Sequence, residues 1–287
     1  MRSIAAIFLL FFVGPSFASE VFVATMRGGH LYRVDAQNAK STLVGTVVLD
    51  GTHAVGLSAM AFHPRTNVLY GITMGINDAN RATLLTIDPA SGQARVVGRL
   101  SRPLSDISFD PNGRLFGWTA NTGQLAIVDL NTARVSALGE ASDPPIAGAF
   151  AIDSRGNAYV APWSAPGTLQ HVDLQDGRVS PGPKVSNLQD LSTVRSMAFS
   201  AGNDLLAAHS IRATPPASSL LRIDPATGVA KAVGDIPEDS EAIAVSATQP
   251  AARADLMRQI AYVILASILL SALWYWRRTR GVSARSY

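Results

Sequence analysis

The chain of 287 residues is 47% apolar and 16% charged, a balance that excludes intrinsic disorder, which needs low hydrophobicity and high charge. It contains no cysteine, so a disulfide framework, a thiolate metal site and a cysteine nucleophile are all excluded. The net charge of +3 sits at the ends: Arg2, Arg258, Arg277, Arg278, Arg280 and Arg285 lie outside 19–255, and that segment keeps 18 basic against all 21 acidic residues, about −3.

Residues 1–18 read as a secretory signal. Arg2 is the positive start, Ile4 to Val13 the apolar stretch, and Ser16-Phe17-Ala18 places small residues for cleavage after Ala18. Three short strands follow, at 20–26, 30–35 and 41–48. From there a repeat takes over. One unit reads Leu31-Tyr-Arg-Val-Asp35 and recurs as Leu84-Leu-Thr-Ile-Asp88, Leu125-Ala-Ile-Val-Asp129, Leu169-Gln-His-Val-Asp173 and Leu220-Leu-Arg-Ile-Asp224, the aspartates 53, 41, 44 and 51 residues apart. Each aspartate opens a turn such as Asp88-Pro-Ala-Ser-Gly92, and the strand after it ends at glycine in four of the five cases (Gly45, Gly98, Gly139, Gly234). A second unit alternates with the first, as in Ile107-Ser-Phe-Asp-Pro111 leading to Arg114-Leu-Phe-Gly117. Short apolar strands joined by Asp/Pro/Asn/Gly turns are hairpins.

The segments 57–100, 104–139, 146–184 and 193–235 each supply four strands. The three strands at the start lack an inner partner, and Glu241-Ala-Ile-Ala-Val245 at the end matches the first strand of the other repeats. The predicted fold is therefore all-β: a five-bladed β-propeller of 20 strands over 19–248, closed by a blade that the N- and C-terminal strands share. Closure removes the sheet edges that an open array would leave. Ala61, Ser108, Ala151, Ala198 and Ala244 occupy the same position in the five inner strands, small enough for close approach at the hub. Both families of tight turns are expected on one face of the disc, and the longer connections on the opposite, loop face.

After a stalk at 249–256, the segment 257–276 is predicted to cross a membrane. Its core, Ile260 to Trp276, has no charge for 17 residues, about 25 Å as a helix. Trp274, Tyr275 and Trp276 form an interfacial cluster, and the arginines of the basic tail 277–287 place the C-terminus in the cytoplasm. The expected location is the bacterial cell envelope, as a single-pass protein with the propeller on the periplasmic or extracellular side.

The Leu-x-x-Ile-Asp-Pro-x-Thr/Ser-Gly units and the Phe-Asp-Pro-Asn-Gly-x-Leu-Phe-Gly hairpin resemble the β-propeller repeats of the YVTN and quinoprotein-like group of exported bacterial proteins, over about 20–247. The resemblance implies architecture. Many members of the group serve as binding platforms, which gives the expected function: a membrane-anchored platform for an envelope protein or a small ligand.

Chemistry is sparse. No nucleophile elbow, dinucleotide fingerprint or phosphate loop is present, no basic stripe with interleaved aromatics indicates nucleic acid, and no cofactor is predicted. The recurring aspartates are turn caps. The hub strands offer two acids, Asp106 and Glu241, which are the candidates for an alternative reading as a periplasmic hydrolase of glycoside or lactone type. On the loop face, Arg27 and His30 of blade 1, His209 and Arg212 of blade 5, the acids Glu238, Asp239 and Glu241 between them, and His53 with Asp50 in the next connection are expected to converge. His30, His53 and His209 are the residues that would ligate a metal there, although their spacing matches no ligand motif. Trp118 and Trp163, each ending a second strand, are candidate aromatic platforms.

Overall fold

The computed structural model describes residues 20–73, 82–143, 146–163, 168–186, 194–211 and 217–246, together with Val263, Ile264, Ser267 and Ser271. Blade 1 begins with β1 (Val21–Thr25), β2 (His30–Val34) and β3 (Ser41–Thr46); a short hairpin, β4 (Val48–Leu49) and β5 (His53–Ala54), follows. Blade 2 holds β6 (Leu57–Phe62), β7 (Leu69–Thr73), β8 (Thr83–Ile87) and β9 (Gln93–Arg99), and blade 3 holds β10 (Leu104–Phe109), β11 (Leu115–Thr119), β12 (Leu125–Val128) and β13 (Val135–Leu138). Blade 4 holds β14 (Gly148–Ile152), β15 (Ala158–Pro162), β16 (Gln170–Val172) and β17 (Val179–Ser180). Blade 5 holds β18 (Val194–Phe199), β19 (Leu205–Ile211), β20 (Ala217–Ile223) and β21 (Ala230–Ile236), and β22 (Ser240–Val245) returns to blade 1.

The sheet order β22-β1-β2-β3 confirms the shared blade, and the other sheets complete a five-bladed propeller. Val21 pairs with Val245 and Val23 with Ile243, all antiparallel. Beyond that ladder, the Glu20 amide donates to Ser246 Oγ at 3.0 Å, and the Ser246 amide to the Glu20 carbonyl at 2.8 Å.

Every blade packs between two others, which is why its strands are apolar on both faces. In β1, Val21 and Val23 enter the cluster against blade 5 while Phe22 and Ala24 enter the cluster against blade 2. Strand alternation sends successive side chains to opposite seams. Among the described residues, each of five buried clusters spans one blade–blade seam.

The repeated sequence units now have physical reasons. The carboxylates of Asp35, Asp88, Asp129, Asp173 and Asp224 accept from the amide two residues on, at 2.7–3.0 Å. The residue four after each aspartate (Ala39, Gly92, Ala133, Gly177, Gly228) has φ between 57° and 79°. These turns donate to their own aspartates: Ser91 Oγ holds the Asp88 carboxyl below the usual range, as the Asn131 amide does for Asp129 and the Thr227 hydroxyl for Asp224. The same turn packs against the strand-ending glycine of the preceding blade. A Cβ on Gly98 would lie 3.0 Å from the Ala133 Cβ, and one on Gly139 2.3 Å from the Asp176 carbonyl oxygen. The hairpin turns between first and second strands (Pro64, Pro111, Ser154 and Ala201 among them) ring the axis on one face, the hairpin-turn face.

One expectation needs correction. Among the described residues the strands number 22 instead of 20, because the connection expected as a loop at Asp50 and His53 forms β4 and β5. Asp50 and Gly51 both have positive φ, 52° and 73°, in a three-residue hairpin loop between the paired Leu49 and His53, and β4 pairs in parallel with β9, so that blade 2 grows to six strands and its outer edge is covered. In blade 4, β17 is only two residues long, because Pro181 and Pro183 lack the N–H that a ladder needs. The predicted signal at 1–18 lies outside the described residues, as do the stalk and nearly all of the segment 257–276. The four described residues of that segment are helical and exposed, and Ser267 and Ser271 donate to the carbonyls of Val263 and Ser267 at 2.8 Å. No helix among the described residues is long and apolar enough to cross a membrane.

Deleting 240–287 is expected to expose the hub edge of β1 and two seams, costing several kcal/mol of a typical ~5–15. Deleting only 247–287 should leave the melting temperature close to that of the intact domain. Thermal melts of the two truncations compare them directly, and equal melting temperatures would contradict the role of β22 as the closing strand.

Candidate functional site

In register, the five inner strands read Leu57-Ser-Ala-Met-Ala-Phe62, Leu104-Ser-Asp-Ile-Ser-Phe109, Ala147-Gly-Ala-Phe-Ala-Ile152, Val194-Arg-Ser-Met-Ala-Phe199 and Ser240-Glu-Ala-Ile-Ala-Val245. The second position carries Ser58, Ser105, Gly148, Arg195 and Glu241. In four of the five strands this position is a β-bulge: Leu57 pairs with Thr73 and Ala59 with Ile72, and the same skip occurs at Ser105, Arg195 and Glu241. A bulge re-aims its side chain. The Ser58 hydroxyl turns back on its own blade and donates at 3.3 Å to the Ile72 carbonyl, whereas the Ser105 hydroxyl reaches across the seam to blade 4 and donates at 2.7 Å to the Gly148 carbonyl. Arg195 and Glu241, at the neighbouring inner strands of blades 5 and 1, face a cleft on the loop face instead.

The cleft has a volume of about 680 Å³ and opens between blades 5 and 1. Its base is fixed by hydroxyls: Ser210 Oγ donates to the Ser240 carbonyl at 3.0 Å and lies 3.1 Å from Ser218 Oγ. One wall is the 26–29 loop. Thr25 Oγ1 donates to the Arg27 carbonyl at 2.8 Å and accepts from the His30 amide at 3.0 Å. Across the seam, Asp239 Oδ2 accepts from the Arg27 amide at 2.7 Å and the Asp239 carbonyl from the Met26 amide at 3.0 Å. Asp239 holds φ at 62° to do so. Arg195 Nε stands 3.5 Å from Glu241 Oε1, both side chains about nine-tenths buried, at 10% and 12% exposure. The Arg195 guanidinium also lies 5.5 Å from the centre of the Trp163 ring, a cation–π contact. Trp163 is itself strapped to blade 5 by its Nε1–H, which donates to the Val194 carbonyl at 2.9 Å.

The structure thus brings Arg27, His30, Glu238, Asp239 and Glu241 to one cleft, with Trp163 beside Arg195. His209 sits deeper, 8% exposed, with Nδ1 3.4 Å from Ser219 Oγ. His53 lies on the exposed β5 next to Thr52 and does not line the cleft. Arg212 lies outside the described residues. Among the described residues, no three His, Asp or Glu side chains gather into a group able to hold a metal ion, so His30, His53 and His209 do not form a ligand set. Trp118 offers no platform: it is 3% exposed, stacks on Phe150 at 6.3 Å and donates to the Ile146 carbonyl at 2.8 Å, inside the blade 3–blade 4 seam. Arg195 was missed. The available signal was a charge at a position where two other inner strands have serine.

Asp106 has a different place. It has no solvent exposure, so it is not open to a substrate. Its oxygens accept from the amides of Ile107, Phe150 and Met197 at 3.0, 2.9 and 3.0 Å and from Ser196 Oγ at 3.0 Å, joining blades 3, 4 and 5. Ser196 Oγ in turn accepts from the Ile243 amide of blade 1 at 3.2 Å. Burial pushes the Asp106 carboxyl up to about 8, against the opposing pull of these donors. At the other end of the hub, a small mouth of about 260 Å³ on the hairpin-turn face is lined by Phe62, Phe109, Ile152, Phe199 and Val245.

No family model and no curated protein matches the chain. Solved structures do. A chain of the nidogen/laminin complex aligns at 12% identity with a TM-score of 0.53, over 80% of this chain and 99% of that one. A protein of unknown function from Bacteroides caccae aligns at 9% identity and a TM-score of 0.48, over 80% and 99%. TolB from Acinetobacter baumannii aligns at 13% identity and 0.44, over 75% of this chain and 52% of that one. At 12% identity the likeness to the nidogen/laminin chain is one of fold, and it supports a β-propeller.

The raised pKa of Asp106 has a definite sign. The folded state keeps a proton that the unfolded chain releases near pH 4, so this group lowers stability as pH rises from about 4 to about 8 and adds no further loss above that. The melting temperature should fall across this window. In Asp106→Asn that part of the slope should vanish. Melts from pH 4 to 9 test both; parallel curves for the two proteins would contradict the assignment.

Proposed function

We propose that this chain is an exported, membrane-anchored β-propeller of the YVTN-like kind that binds a protein or small-ligand partner in the blade 5–blade 1 cleft of its loop face. The observation that carries the reading is the Arg195–Glu241 pair. A buried ion pair returns little or no net stability, and serine fills the same bulge in blades 2 and 3 without a charge. Its placement in a cleft of ligand size, beside the half-buried Trp163, favours a binding role. The fold-level neighbour solved in a nidogen/laminin complex is in keeping with protein binding.

Anchoring and location rest on the sequence: the charge-free run Ile260 to Trp276, the flanking aromatics and the arginines after it. They favour a propeller in the periplasm or outside the cell, in a bacterial envelope, with the tail 277–287 in the cytoplasm. A reporter fused after Tyr287 should be active only if it works in the cytoplasm, and the protein should stay with membranes through an alkaline wash. Release into the supernatant would overturn the anchor.

The binding reading is tested with the full-length protein as bait on envelope extract. A partner captured in stoichiometric amount should be lost at least tenfold, about 1.4 kcal/mol, with Arg27→Glu/His30→Ala, two cleft residues outside the buried core. The double variant should melt as the wild type does. Undiminished capture would overturn the cleft as the site.

A further inference from the structure

The direction of β22 fixes which side of the disc the anchor leaves. β22 starts at Ser240 on the cleft side and ends at Val245, which lines the central mouth on the hairpin-turn face together with Phe62, Phe109, Ile152 and Phe199, the last residues of the other inner strands. Ser246 lines the same mouth and is held there by both hydrogen bonds to Glu20. The chain therefore leaves the propeller at its axis, on the face opposite the cleft. Residues 247–259, 13 in all, separate that exit from the first residue of the apolar run, Ile260.

We infer that the anchored protein stands with its hairpin-turn face toward the bilayer, so that the blade 5–blade 1 cleft opens away from the membrane and takes a partner from the aqueous compartment, not one embedded in the same bilayer. This rests on the anchor and the cleft proposed above. The lengths decide it. For the cleft side to face the bilayer, residues 247–259 would have to cross half the disc and then its full thickness. Four strands at ~4.8 Å spacing and a strand length of ~17–20 Å make that path ~37 Å before side chains are counted. Thirteen residues reach ~45 Å only when fully extended, and a flexible segment of that length spans ~20 Å on average. With the hairpin-turn face down, the exit already lies on the membrane side, and 13 residues need not be extended to bridge the two.

The chain has no cysteine, so one introduced thiol is labelled uniquely. Asn112 lies in the hairpin turn before β11 and Asn121 in the loop after it; both are exposed, and the five-residue strand Leu115–Thr119 separates them. Full-length Asn112→Cys and Asn121→Cys, each carrying a donor dye, are reconstituted into phosphatidylcholine/phosphatidylglycerol vesicles containing a lipid-bound acceptor. Energy transfer should be stronger from Asn112→Cys, corresponding to a position nearer the bilayer by about one strand length, ~17 Å. Equal transfer, or stronger transfer from Asn121→Cys, overturns the orientation and leaves the anchor intact. Failure of both proteins to float with the vesicles overturns the anchor, and the orientation with it.

Discussion

Everything in this propeller depends on how the inner edge of each blade is satisfied. The first strand of a four-stranded blade has a ladder partner on one side only, and its other row of backbone amides points at the axis, where water is scarce. Unpaired buried amides cost about 1–3 kcal/mol each. The hub answers with short polar side chains that reach from one inner strand to the next. Asp106 takes the amides of Phe150 and Met197, Ser108 that of Ile152 at 3.0 Å, and Ser196 that of Ile243. The ring is thus held at its axis by hydrogen bonds between strands that share no ladder, and at its seams by apolar clusters. A carboxyl group at such a site is buried at a cost, which raises its pKa to about 8. It is retained because one side chain with two oxygens can serve three strands.

The same inner strands hold the variation that shapes the cleft. Their lower halves repeat a small residue and an apolar one in every blade. Their upper ends carry the bulge, and there the five copies part: serine bonds its own blade's carbonyl in blade 2 and the next blade's in blade 3, whereas arginine and glutamate turn to the cleft between blades 5 and 1. The blade that is stitched together from the two ends of the domain forms one wall of that cleft. Closure of the ring and construction of the site are in this sense one event. The amide of Arg27 and the carboxylate of Asp239, 212 residues apart, meet in the wall only once β22 is in place.

Much of this was legible in the residues because it repeats. Five copies of a turn aspartate, four strand-ending glycines and an orphan strand at 241–245 give blade number and closure by counting. The capping role of Asp88 or Asp224 follows from local chemistry within five residues. What did not repeat was harder to read. The hairpin around Asp50-Gly51 has the right turn residues but strands of two residues, too short for an alternation pattern. Asp106 and Glu241 look alike as hub-strand acids, yet they differ by one position. The bulge places Glu241 in the cleft, and the regular strand places Asp106 among backbone amides. Trp118 and Trp163 both end a second strand; only the next blade's packing decides that one is sealed and the other half open. Such distinctions depend on contacts across seams, which sequence spacing does not encode.

The shared blade also sets an order of events. Blades 2 to 5 are assembled from hairpins whose strands are close in sequence, so they can form as the chain emerges. β1 can pair at once only with β2: its inner partner, β22, lies more than 200 residues downstream, and loop-closure entropy delays such distant pairing. For the whole interval in which the later blades are made, the strand Val21–Thr25 presents an apolar, unpaired edge, the feature most open to pairing with another chain. The blade that completes the cleft is also the one through which an unfinished copy of this protein is most exposed to misassembly.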